Sequence, residues 1–94
     1  MLNKPGSFLL MNYPFIDFDF LKRHIMAARI FPYARTSAYA IAKKHRQAHP
    51  SAFCRILKVD DDYFVISDKD DYDYYWELRK IASRNERKKK NETL

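Results

Sequence analysis

Apolar positions fall into blocks whose spacing changes along the chain. Residues 1–16 carry Phe8, Leu9, Leu10, Met11, Tyr13, Phe15 and Ile16, interrupted by Pro5 and Pro14. They read as an apolar N-terminal arm that packs on the domain or on a partner. Leu21, Ile25 and Ala28 then recur at helical spacing. With Asp17 and Asp19 as candidate N-caps and Pro32 as a stop, they predict a helix over about 18–30. Met26, Ala27, Ile30 and Phe31 lie off that stripe, so cover on most sides is expected. A second helix is predicted over 35–48, ended by Pro50. Ala34, Ala38, Ile41, Ala42, His45 and His49 share one face, with Thr36, Ala40, Lys43 and Gln47 opposite. Ser37, Tyr39, Lys44 and Arg46 flank that outer face. The inner face is narrow and small, which suits close packing against another helix; the outer one is cationic and hydroxyl-bearing.

The next two runs, 53–59 and 63–67, are β-rich. Asp60-Asp61-Asp62 between them suits a hairpin connector, because Asp tolerates left-handed backbone angles. Apolar residues on both faces call for partial cover on each side, and the arm is a candidate for one. A third helix is predicted over about 70–85, with Tyr74, Tyr75, Leu78, Ile81 and Ala82 as its buried stripe. Asp68, Asp70, Asp71 and Asp73 at its start and Arg79, Lys80, Arg84 and Arg87 towards its end complement the helix dipole. Trp76 points almost the other way; the arm roofing it is the preferred reading, and a partner anchored on it is the other. Residues 86–94 lack an apolar face and are expected to be a basic, disordered tail. The pattern as a whole defines one α+β domain over 17–85.

Charge sharpens this outline. The 94 residues hold 18 Lys and Arg against 12 Asp and Glu, but the signs are segregated. Residues 36–58 contain five basic and no acidic side chains, whereas 59–78 contain eight acidic and one basic. A polyanion-binding face and a separate acidic surface are therefore expected. The single cysteine, Cys54, excludes a disulfide framework and fits a reducing, cytoplasmic setting. No apolar run reaches the roughly 18 residues that a membrane helix needs, so no membrane partner is expected. The lone glycine, Gly6, excludes phosphate loops that depend on glycine.

The order helix, short turn, basic helix, hairpin, helix is that of a helix-turn-helix followed by a β-wing. Ala27-Ala28-Arg29-Ile30-Phe31-Pro32-Tyr33-Ala34-Arg35-Thr36-Ser37-Ala38-Tyr39 resembles, without gaps, the pattern AAxLLGVSRSTLY. That pattern belongs to the winged helix-turn-helix domains of excisionases and related phage or mobile-element regulators, and the likeness runs over about 21–82. It implies a winged helix-like fold and binding of duplex DNA through the helix at 35–48. By position, Arg35, Thr36, Ser37 and Tyr39 match the contacting start of the recognition helix. Pro32 replaces the glycine usual in the family's turn. The acidic Asp60-Asp61-Asp62 replaces a commonly basic wing tip, which leaves Arg55 and Lys58 as the wing's candidates.

Lys43, Lys44 and Arg46 complete the DNA-binding set as phosphate-neutralising groups, and Ala40 leaves the helix an unobstructed approach. Transcriptional regulation or excision is the expected role, with no chemistry performed, and a homodimer or side-by-side copies on DNA fit it. The alternative is a small phage-type inhibitor of a host nucleic-acid-handling complex, an anti-defence protein. Its partner face would be the acidic 60–77 segment, with Asp70, Asp71, Asp73 and Trp76. RNA binding is permitted by the aromatic content but supported by no motif. His45-x₃-His49 and Cys54 offer only three of a structural zinc site's four ligands, and Asp68-x-Asp70 lacks the glycine of a calcium loop. No nucleophile–base set is recognisable, and no metal or cofactor is expected.

Overall fold

The computed structural model describes residues 15–93, with side chains through residue 90; most of the N-terminal arm lies outside the described residues. Five elements follow one another: α1 (Phe18–Ala27), α2 (Arg35–Ala48), β1 (Arg55–Val59), β2 (Asp62–Ile66) and α3 (Lys69–Thr93). The protein is α+β, with the winged helix-like order of two helices, a hairpin and a closing helix.

The hairpin organises everything else. β1 and β2 pair antiparallel from Val59↔Asp62 to Arg55↔Ile66, closed by the two residues Asp60 and Asp61. Asp60 takes φ 59°, the left-handed angle that Asp accommodates better than most residues. Strand alternation sends Leu57, Val59, Phe64 and Ile66 to one face, where all four are buried. They form one core with Ile16, with Leu21 and Ile25 of α1, and with Tyr75, Leu78 and Ala82 of α3. Ile56, Tyr63 and Val65 turn to the other face and are half-buried.

That second face is covered by α2. Tyr39 sits with its ring 6.4 Å from that of Tyr63, and Ile41 and His45 line a shallow hollow with Val65. Only Ala38 and Ala42 are buried on α2, and neither belongs to the main core. The small face thus seats the helix closely on strands, whereas the spacing suggested a neighbouring helix. Nowhere do Cα atoms of α2 come within 8 Å of those of α1 or α3. The layers run α2, hairpin, then α1 with α3.

Two helix boundaries depart from the pattern, each for a physical reason. The helix predicted to reach about residue 30 ends at Ala27, because Arg29 adopts φ 67° and its amide bonds back to Met26. Pro32 then keeps the connector extended. Tyr33 uses this to exchange two backbone hydrogen bonds with Tyr63, covering the outer edge of β2.

At the other end, residues 86–93 are helical where the absence of an apolar face suggests fraying. Their partners are polar and remote in sequence. Glu86 accepts from the Phe18 amide at 3.0 Å, and Asn85 donates to the Ile16 carbonyl at 2.7 Å. Lys89 lies 3.1 Å from Asp17, the N-cap of α1, which also accepts from the Phe20 amide. The last turns of α3 therefore satisfy one orphan donor at the start of α1, the Phe18 amide, and pair with the residue that caps it. Asp19, the other candidate cap, instead lies inside the first turn and pairs with Arg23. On α3 itself Tyr75, Leu78 and Ala82 are buried, but Tyr74 is exposed and lies against His24 at the rim.

Candidate nucleic-acid interface

The α2 helix begins at Arg35, after Ala34 in extended backbone, and presents its outer side to solvent along its whole length. With Ala38 and Ala42 against the strands, the 100° step between residues turns Thr36, Ala40, Lys43, Lys44 and Gln47 outward. Arg35, Thr36, Ser37, Tyr39, Lys43, Lys44 and Arg46 are all exposed. Arg35 stacks over the Tyr39 ring at 5.6 Å, so the N-terminal turn holds a cation and an aromatic ring side by side.

The free edge of β1 joins this surface. Tyr63 directs its backbone groups away from β1, to Tyr33; its partner Lys58 must therefore direct its own to the opposite, open edge. By the same alternation the carbonyls of Cys54 and Ile56 point that way. Arg46 and Arg55 both donate to the Cys54 carbonyl, at 3.0 and 3.2 Å, and Arg79 donates through Nε to that of Lys58. Arg55 also lies 5.2 Å over the Phe53 ring. Two guanidinium groups sharing one carbonyl put their charges close together, which concentrates positive potential at the junction of α2 and β1.

Charge pairing separates this region from α1 and the acidic segment. Five cations elsewhere are engaged: Lys22 with Asp60 and Asp62, Arg23 with Asp19, Lys69 with Asp73, Lys80 with Glu77, and Lys89 with Asp17 and Glu86. Among the described residues, no carboxylate lies within 4 Å of Arg35, Lys43, Lys44, Arg46, Arg55 or Lys58. Burial acts to lower the pKa of Lys22, but the hydrogen bonds it donates to Asp62 and Asp60 outweigh that and raise the value. The acidic hairpin tip is thus largely occupied by α1.

Of the expected acidic partner face, Asp70, Asp73 and Trp76 are exposed on the outer side of α3, whereas Asp71 turns from them. Asp73 is 2.8 Å from Lys69, whose pKa it raises. Two residues earlier, Asp71 lies about 160° around the helix. There its charge adds to burial in pushing up the Tyr75 hydroxyl. Asp70 and Asp71 occupy the first turn, where they complement the dipole, and Asp68 caps it by accepting from the Asp71 amide. Trp76 is 40% exposed, with Arg79 stacked 5.4 Å above its ring. Of the arm, Ile16 joins the core on one face of the hairpin; the expected roof over Trp76 involves arm residues outside the described ones.

The His45 and His49 rings lie 5.4 Å apart, and Cys54 is buried. No group of three potential metal ligands forms among the described residues, nor is any described helix long and apolar enough to cross a membrane. Sequence reasoning passed over Arg79 as a dipole partner, and only tertiary contact reveals its reach to β1. No protein-family model, curated protein or solved structure matches the chain.

Proposed function

We propose that this chain is a non-enzymatic DNA-binding protein, an excisionase-like architectural factor or transcriptional regulator of a phage or mobile element. The observation that carries the reading is the block of six cations gathered on α2 and β1 without carboxylate neighbours among the described residues. An unpaired cationic face is an electrostatic footprint for a polyanion, because its charges are not already neutralised within the fold. In this reading Lys43 and Lys44 neutralise phosphates, and Arg46 and Arg55 each keep donors free beyond the shared carbonyl. Thr36, Ser37 and the Arg35–Tyr39 pair meet base edges in the major groove, which admits one helix. The Lys22 ion pairs support the approach of the wing, since they moderate the charge of an otherwise repulsive tip.

The inhibitor alternative draws less support, because most of its carboxylates are committed to caps or local ion pairs. Fluorescence anisotropy of a labelled 30-base-pair duplex at low salt tests the proposal. Saturable binding that weakens steeply with added salt is expected. No binding by the full chain at low salt overturns it.

A further inference from the structure

The proposed interface leaves a second cationic surface unused. On α3, Trp76, Arg79, Lys80, Ser83, Arg84 and Arg87 line one continuous hollow of about 330 Å³. At 100° per residue this stripe is centred roughly 135° around the helix from Tyr75, Leu78 and Ala82, so it faces away from the core. It runs about 17 Å, or roughly half a turn of duplex. Among the described residues Arg84 and Arg87 have no carboxylate within 4 Å; Lys80 is shared with Glu77 at 3.1 Å. Arg79 is fixed between the Trp76 ring and the Lys58 carbonyl, so its charge is held in place. The density and single sign of these charges suit a phosphate backbone, and Ser83 adds a hydroxyl donor. An acidic protein helix would need apolar anchors beyond Trp76, and the stripe offers none.

Its position matters most. The cationic side of α2 faces outward from one face of the hairpin, and α3 packs on the other face, with the strands between them. Arg79 marks where the two surfaces meet at the β1 edge, whereas Arg84 and Arg87 lie one to two turns further along α3. Resting on the DNA-binding reading above, we propose that α3 carries a second duplex-binding surface, so that one chain bridges two segments of DNA.

A bead-capture experiment tests this. The full chain is added to a biotinylated 30-base-pair duplex on streptavidin beads, and retention of a second, fluorescent duplex is measured. Wild type is expected to retain the second duplex. R84A/R87A, which changes two exposed side chains, is expected to lower retention at least tenfold while its anisotropy Kd for one duplex stays within about twofold. Undiminished capture by R84A/R87A overturns the proposal, since two chains joined through another surface would then do the bridging. Equal loss of capture and of single-duplex affinity also overturns it, because one duplex would then span both helices. Wild type that binds duplex yet captures no second one overturns bridging alone. Failure to bind duplex at all removes the DNA reading with it.

Discussion

Replacing Lys43 and Lys44 together by alanine puts a number on the role of α2. Both side chains are exposed on the outer face and neither meets a carboxylate among the described residues, so alanine removes charge without breaking an internal contact. Alanine also favours helix, and the fold should be unchanged. Each cation–phosphate contact with duplex DNA contributes about 0.9 to the slope of log affinity against log salt. Loss of two should flatten the slope by about 1.8, whatever the total number of contacts. Extrapolated from a 1 M reference, that corresponds to roughly 60-fold weaker binding at 0.1 M salt and roughly 20-fold at 0.2 M. Anisotropy titrations of wild type and K43A/K44A at four salt concentrations give both slopes, with circular dichroism to confirm helix content. Parallel lines would refute the placement of α2 on phosphates, even if the variant bound more weakly.

Three further outcomes concern the fold. Ala38→Leu should destabilise the protein by about 1–3 kcal/mol in urea denaturation, because α2 sits on the strands through a residue with no accessible surface; an unchanged midpoint would contradict that seating. Arg29→Gly should stabilise it by about 1 kcal/mol in the same assay, since glycine removes the cost of φ 67°. Asp17→Asn keeps a capping oxygen but loses the charge facing Lys89, a change worth roughly a few tenths of a kcal/mol at pH 7. Burial works to raise the Asp17 pKa, yet the Phe20 amide and Lys89 outweigh it and leave it below 3.8. A lowered folded-state value means that this contribution is present above the unfolded pKa and lost as pH falls through the folded one. The gap between wild type and Asp17→Asn should therefore close on going from about pH 5 to about pH 2; a constant gap would contradict the pairing.

Local signals were legible where local chemistry decides. The α2 helix occupies 35–48 as its spacing predicts, and the aspartate run marks the hairpin turn to within one residue. What could not be read depends on residues distant in sequence. Small residues at 38 and 42 announce close packing but do not say whether a helix or a sheet comes close. The tail at 86–93 has no apolar face, and its helix depends on Phe18, Ile16 and Asp17, about 70 positions earlier. The candidate site divides in the same way. Its cationic side chains are visible in the sequence, but whether each is paired is not, since Lys22 finds Asp60 across 38 residues. Arg79 belongs to the β1 edge by virtue of one carbonyl contact that no spacing rule foretells.

The contacts between the end of α3 and the start of α1 have a kinetic consequence. Local structure such as the hairpin forms without closing a long loop, whereas docking Glu86 on Phe18 closes one that contains nearly the whole domain. Contacts of such separation tend to form late in folding and, because each end supplies the other's missing hydrogen bonds, to be lost together. The α1 amides and those of α3 beyond Asn85 should then exchange with solvent as one cooperative unit. A substitution at Glu86 would be felt as a loosening at Phe18, at the far end of the chain.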